Sequence, residues 1–455
     1  MSPSVALVVW LIFLWFLLRL SKDRTQSAAL WLPVIWLLII SSRLPSQWLN
    51  ADSGSSVAQA FEEGSALDRT VYLSLIVIGL GVLGRRSPQW GEIVSRNFAL
   101  VLFLLFALAS VTWSDFPYQC FKRWIRDLGI YLMILVVVTD RSPAMAISTV
   151  LRRFTYILAL MSLMLIKYYT PLAVQYNPWS GAPEFIGATT SKNMLGVVCL
   201  LSGLFCFWDT LNRWVERKSR RGKLVLFSNL VMIWVTFRLL KLSQSATSLG
   251  CLIMGCFTLA LLRSRWTMAK PRLVAALIPL LIGTAAVLEF VFNISSVVAQ
   301  LLGRDPTLTG RTGIWAAVLQ VQTNPLLGAG YQTFWMGDRL GQVATRLNTW
   351  FSLSEAHNGY LEIFLNLGIV GVFLIIMFMI AGYRTICRQL VSCPYIASLS
   401  ITLWLCTVIY NFSESAYGAS PLWFILVMFV AALSTGTMRL PTEENACGTV
   451  PSQPA

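Results

Sequence analysis

The chain has 455 residues, of which 56% are apolar and only 12% charged, with a formal net charge of +15. So few charges exclude a water-soluble domain of this length. The basic excess would suit nucleic acid, but it is distributed along the chain as a membrane-topology signal, and no nucleic-acid partner is expected.

Apolar runs long enough to cross about 30 Å of hydrocarbon recur from end to end. Predicted spans lie near 5–20, 28–44, 70–84, 97–113, 127–139, 146–167, 193–208, 224–240, 246–262, 273–293, 359–382, 396–412 and 418–434. Several are short or carry Arg or Lys, so the count is about 11 to 13. Only helices satisfy their own backbone groups in lipid at such spans. The fold class is therefore all-α, a polytopic integral membrane protein with one large extracytoplasmic loop carrying short helices. Residues 1–20 have no basic n-region and no clear cleavage site, and read as a retained span.

Basic residues crowd alternate loops: Arg85, Arg86 and Arg96, then Arg213 to Lys223, then Arg263 to Arg272, then Arg384 and Arg388. The positive-inside bias puts these loops in the cytoplasm. The 45–69 loop, with Asp52, Glu62, Glu63 and Asp68, then lies outside, as do 168–192, the long 294–357 loop and the short turn around Glu414. An odd number of spans leaves the N-terminus outside; if the first run does not span, it moves inside. The cysteines show no paired spacing, so neither a disulfide framework nor a zinc site is indicated. The tail 441–455 has no apolar period and is expected to be disordered in the cytoplasm.

Some cations break the topology rule. Lys122, Arg123 and Arg126 follow Trp113-Ser114-Asp115 on the outer side, with Arg123 and Arg126 on one helix face. Lys192 opens a span from outside, and Arg238 and Lys241 sit at the outer end of another. A basic residue at mid-bilayer costs about 2.5–3.5 kcal/mol, less toward the interface. Snorkelling accounts for any one of them. Together they form a positive basin suited to a polyanionic lipid headgroup, where Arg offers phosphate a planar fork.

In the long loop, Gly303-Arg304-Asp305-Pro306 marks a turn, and Thr309 or Thr312 could cap a helix running to about 322. That places Arg311 at a helix N-terminus, where backbone N–H groups favour anions. Asn324 to Gly330 is a second turn, and residues 339–353 are expected to be amphipathic and to rest on the membrane surface. Glu355-Ala356-His357-Asn358-Gly359-Tyr360-Leu361 closes the loop. His357 is the only histidine in the chain. A lone histidine is more often structural than catalytic, but at a loop–membrane junction beside Glu355 and Asn358 it could accept a hydroxyl proton. There is no GxSxG elbow for a Ser-His-Asp hydrolase, and one His with scattered acids makes no metal-ligand cluster. Gly368 and Gly371 read as small residues for close helix–helix packing.

With these motifs on the page, the chain resembles the bacterial O-antigen ligase and polymerase superfamily, most closely its Wzy-type exopolysaccharide-polymerase branch. The likeness rests on Gly310-Arg311-Thr312-Gly313-Ile314-Trp315, on Asn324-Pro325-Leu326-Leu327-Gly328-Ala329-Gly330, and on the His357 stretch with Gly368 and Gly371. Trp113-Ser114 and Ser191-Lys192-Asn193 add to it. The resemblance divides the chain into N-terminal transmembrane helices (1–240), a ligase/polymerase-like region (241–440) including a periplasmic loop (294–357), and the tail.

The resemblance implies an inverting glycosyltransferase of the inner membrane, metal-independent and without cofactor. Its periplasmic site would join undecaprenyl-diphosphate-linked oligosaccharides, alongside other polysaccharide export proteins. It gives His357 the role of base and Arg311 that of diphosphate ligand. Arg123, Arg126, Lys192, Arg238, Lys241, Glu355 and Asn358 are the expected substrate contacts. One departure stands out: relatives carry a basic residue where this chain has Ala246, in Ser243-Gln244-Ser245-Ala246, and Arg238 or Lys241 is the expected substitute. The alternatives are a ligase acting on lipid A core and, from another class, a lipid-linked oligosaccharide flippase, although no internal repeat is evident. A membrane acyltransferase is a more distant one.

Overall fold

The computed structural model describes residues 2–20, 26–49, 65–177, 181–264, 311–348 and 353–435, with short stretches between 267 and 284. The predicted span 273–293 falls largely outside the described residues, as do Asp52, Glu62, Glu63, residues 303–310 and the tail. The main helices are α1 (Pro3–Leu20), α2 (Trp31–Ser41), α3 (Ala66–Arg86), α4 (Trp90–Arg96), α5 (Phe98–Ala109), α6 (Pro117–Val138), α7 (Pro143–Tyr168) and α8 (Lys192–Arg213). They continue as α9 (Arg220–Ser243), α10 (Ala246–Leu262), α11 (Arg311–Leu319), α12 (Asp338–Leu347), α13 (Gly359–Arg388), α14 (Pro394–Ser413) and α15 (Pro421–Ser434).

The chain is an all-α polytopic membrane protein. Among the described residues, α3, α7, α8, α9, α13 and α14 are both long and apolar enough to cross a membrane. The other predicted spans include the shorter apolar helices α1, α2, α10 and α15, the 22-residue α6, and α5, which the preceding α4 meets at 89°. α6 begins at Pro117, well before its apolar run, so Lys122, Arg123 and Arg126 lie on the helix itself. Proline suits that first position because its missing N–H has no partner there in any case.

α8 and α15 form the centre and are buried along most of their length. α1, α3 and α9 present Ile12, Trp15, Val77, Phe227, Trp234 and Phe237 outward, as lipid-facing helices do. The basic ends meet on one side of the bundle. Arg86 pairs with Asp140 at 2.7 Å, Arg96 donates to the Ser434 carbonyl, and Arg263 stacks on Tyr395. Two strands not anticipated from the sequence, Val174–Tyr176 and Pro183–Phe185, pair antiparallel in the 168–192 loop at the other end.

α13 has 30 residues, about 45 Å of helix, more than the hydrocarbon needs. It breaks at Gly368, with φ 63° and ψ −165°, a region essentially closed to other residues. The break opens two helical hydrogen bonds, and the 325–330 turn closes all four halves. Ala329 N–H donates to the Leu365 carbonyl (3.0 Å) and Gly330 N–H to that of Asn366 (2.9 Å). On the far side, Ile369 N–H donates to the Pro325 carbonyl (2.9 Å) and Val370 N–H to that of Leu326 (3.3 Å). A Cβ on Gly328 would strike the Asn366 backbone, and one on Gly368 the Leu326 backbone. The expected helix–helix packing role is thus corrected for Gly368, which receives a loop instead. A side chain on Gly371 would meet Leu367 and Ile363 of its own helix.

A second apolar cluster, with Ile314, Val318, Phe334, Trp335, Val343, Ala356 and Leu365, caps this end of the bundle. Leu340 and Leu347 of α12 pack into it. The apolar face of α12 therefore covers α11 rather than the membrane surface, because Ile314 and Trp315 offer it a protein partner. Thr312 is inside α11 and not its cap.

Candidate active site

Each residue of the Glu355–Leu361 stretch has a separate physical task. Ala356 is buried; its N–H donates to Glu362, and its carbonyl accepts from the Trp315 indole at 2.9 Å. Trp315 thereby ties the helix carrying Arg311 to the turn carrying His357. The Trp335 indole holds the same Glu362 carboxylate at 3.0 Å. His357 has φ 51°, left-handed backbone that disfavours a side chain. Strain of this kind persists only where the surroundings enforce it. Asn358 caps α13, its side-chain oxygen accepting from Tyr360 N and Leu361 N at 3.1 Å each. Gly359 lies where a Cβ would collide with Asn411, and its N–H donates to the Glu414 carbonyl at 3.0 Å.

This construction sets His357 beside two acids. Its Nδ1 is 3.0 Å from Glu355 and 3.3 Å from Glu414. The other Glu414 oxygen accepts from the Arg311 guanidinium at 2.5 Å, and the first also takes the Asn193 amide at 3.0 Å. The Glu414 side chain is 5% exposed and that of His357 28%. Burial works against a charged imidazole, but the hydrogen bonds and charges of Glu355 and Glu414 prevail and raise its pKa to about 10. His357 is therefore an imidazolium at neutral pH.

The fold gathers what the sequence scattered. Glu355, His357 and Glu414 bring one imidazole nitrogen and two carboxylate oxygens within 4.8 Å of one another. Arg311 and the imidazole proton already offset both carboxylate charges there.

The other expected contacts occupy separate stations. Lys192 opens α8 and pairs with Glu184 of the hairpin at 2.7 Å. Burial tends to raise the Glu184 pKa, but donation from Asn177 and Lys192 outweighs it and leaves the carboxyl below its ordinary range. Arg123 and Arg126 of α6 both hold Gln332, Arg123 through its carbonyl and Arg126 through its side chain at 2.8 Å. Arg126 also pairs with buried Asp127 at 3.0 Å, which accepts from the Tyr331 hydroxyl at 2.8 Å. The 414–420 loop passes both stations, since Gly418 approaches Asp127 and Gln332 while Glu414 holds Arg311. Arg238 and Lys241 are exposed on α9. The Ala246 position lies close to the cluster: Thr247 bonds Ser413 at 2.9 Å, and Gly196 of α8 abuts Ser245 and Ser248.

Asn193 and Glu414 were not singled out by sequence reasoning. Asn193 stands next to Lys192, and Glu414 is the one acid in the turn between α14 and α15, which was a usable signal.

The weaker motifs also find partners. The Trp113 indole donates to the Leu327 carbonyl at 3.2 Å, and Ser114 bonds Thr333 at 3.0 Å, so both brace the 325–330 turn.

Residues 185–376 match the O-antigen ligase family, a stretch that includes Lys192, Asn193, Arg311 and His357. Over 326 residues the chain is 26% identical to the exopolysaccharide production protein ExoQ of Rhizobium meliloti (strain 1021), covering 66% of this chain and 68% of that protein. Residues 185–376 are thus similar to the O-antigen ligase family, within a membrane protein similar to one of exopolysaccharide production.

Proposed function

We propose that the protein is an inverting, metal-independent glycosyltransferase that polymerises undecaprenyl-diphosphate-linked oligosaccharide units on the periplasmic face of the bacterial inner membrane. The observation that carries this reading is the convergence of Arg311 and His357, from opposite ends of the 311–357 segment, at one end of the bundle.

A glycosyl diphosphate already has a good leaving group. It needs cationic stabilisation of the departing charge and a base for the incoming alcohol. The acceptor hydroxyl oxygen attacks the anomeric carbon from the face opposite the diphosphate. The carbon–oxygen bond to the diphosphate breaks, and its electron pair leaves on the lipid diphosphate, beside Arg311. The hydroxyl proton passes to the free-base form of His357, the minor form at neutral pH because Glu355 and Glu414 raise its pKa to about 10. With Nδ1 turned to Glu355 and Glu414, Nε2 is the ring nitrogen left to take it. Arg123, Arg126 and Lys192 lie at the same end of the bundle and supply further positive charge for the headgroup, with Arg238 and Lys241 at the outer end of α9. Asn358 contributes by fixing the turn rather than by touching substrate.

The family likeness supports a second reading, a ligase that transfers a finished glycan to another carrier. Products separate the two. Purified protein in liposomes, given lipid diphosphate-linked repeat units and a chelator, is expected to build a ladder of lengthening lipid-linked glycans. A single transfer to a different acceptor means ligase. No transfer of either kind overturns the reading, and transfer that stops on chelation overturns the metal-free route.

A further inference from the structure

The Glu414 carboxylate holds two groups at once. One oxygen lies on the Arg311 guanidinium, and the other on His357 Nδ1 and the Asn193 amide. The carboxylate is buried and fixed from below, because its backbone N–H donates to Tyr410 and its carbonyl accepts from Gly359. The charged groups facing His357 are Glu355 on its own turn, Glu362 from the first turn of α13, Glu414 from the 414–420 loop, and Arg311 across Glu414. The guanidinium that the proposed function assigns to phosphate is thus paired with an anion of this chain.

We infer that Glu414 is a positioning residue with two duties: it holds the Arg311 guanidinium until a donor phosphate competes for it, and it anchors the Nδ1 edge of His357 so that Nε2 faces the acceptor. The inference rests on the polymerase reading for its kinetic consequence, but its physical content stands apart from it. A diphosphate arriving at Arg311 displaces Glu414 from the guanidinium. The carboxylate keeps Asn193 and His357 as partners, and its charge then falls more fully on the imidazole. Donor binding and the setting of the base become one event.

The two duties predict opposite effects of Glu414→Gln. A neutral amide releases Arg311, so phosphate binds more tightly; the same change loosens the imidazole, so turnover falls. The expected result is a KM for the lipid-linked donor lowered several-fold, with the kcat reached at alkaline pH, where the imidazole is free base in both proteins, lowered at least tenfold. A merely structural role would raise KM or leave it unchanged.

A single histidine makes a second readout clean, because protein labelled with 15N-histidine gives one imidazole to follow. Its titration is expected to move to lower pH in Glu414→Gln and to higher pH in Arg311→Gln, which leaves Glu414 to His357 and Asn193. Inorganic pyrophosphate is the binding probe and should bind Glu414→Gln more tightly than the wild type.

If wild-type protein makes no glycan, the polymerase reading fails while the titration and pyrophosphate measurements still decide the inference. If Glu414→Gln does not fold, Arg311→Gln carries the titration test. An imidazole titration unmoved in either folded variant, or pyrophosphate binding weakened by Glu414→Gln, overturns it.

Discussion

Two buried carboxylates sit near the two ends of this bundle, and they differ in what they hold. Asp209, near the C-terminal end of α8, takes both oxygens of its side chain to Arg152 at 2.9 Å, and adds Arg213 at 2.9 Å and Asn229 at 2.8 Å. Glu414 meets the opposite end of the same helix through Asn193 and likewise gathers three donors. Asp209 pins three regular helices, α7, α8 and α9, with side chains that keep their charge state. Glu414 joins a helix start, two loops and a strained turn, and one of its partners is a partly exposed imidazole. Burial and ion pairing are common to both; a titratable partner open to the outside, on a left-handed backbone, marks only one of them as a place for chemistry.

The largest expected effects test that contrast directly. His357→Ala and Arg311→Ala should each lower glycan elongation by roughly 100- to 1000-fold or more, with the protein still inserted in the membrane. Quantified ladders from reconstituted vesicles check this, and full polymer yield from His357→Ala would remove the base assignment. Asp209→Ala should behave in the opposite way. It strands Arg152 in the interior and should cost about 3–5 kcal/mol of stability. Thermal unfolding in detergent reads the loss, while turnover per folded molecule stays at the wild-type level. A comparable fall in kcat would dissolve the distinction between the two ends.

Acidity gives the next test. With its pKa raised to about 10, His357 is mostly protonated at neutral pH, and the free-base fraction grows about tenfold per pH unit until that value. Elongation limited by the base should rise across this range rather than level off near pH 7. The same shift affects stability. A raised folded-state pKa means the imidazolium stabilises the fold fully below the unfolded value of about 6.5, and this contribution disappears as pH rises through about 10. Melting temperature followed over that window should fall in the wild type and be flatter in His357→Ala. Gly368→Ala has the smallest expected effect, about 1–3 kcal/mol from backbone strain, together with whatever shift its collision with Leu326 imposes. It should soften the cap over the site without touching the Asp209 end, and hydrogen exchange at residues 325–330 and 365–370 measures that.

Much of the architecture was legible because apolar runs and basic loops follow simple physics. The helices and the shared side of the basic ends required little more than hydropathy and charge. Arg311 and His357 stood out because their residue types are rare or costly where they occur. The 89° turn between α4 and α5 was hidden, since the apolar run that starts near residue 97 gives no sign that residues 90–96 form a helix of their own. The break at Gly368 was hidden for a related reason: a glycine in an apolar helix fits both close packing and a loop insertion, and only the partner segment tells them apart. Glu414 could not be connected to His357 from sequence, because the link depends on how α14 ends and on Asn411 lying against Gly359. The apolar stripe of α12 fitted a membrane surface and a protein neighbour equally well.

The helix break has a consequence for biogenesis. Residues 325–330 leave the ribosome before residues 365–370, so the strip that completes the opened helix is made first and can be waiting when its acceptor emerges. Assembly of α13 as observed therefore needs two chain segments to meet, not one segment to partition alone. A truncated chain lacking 325–330 would have to close the helix without interruption or leave four backbone groups unmet.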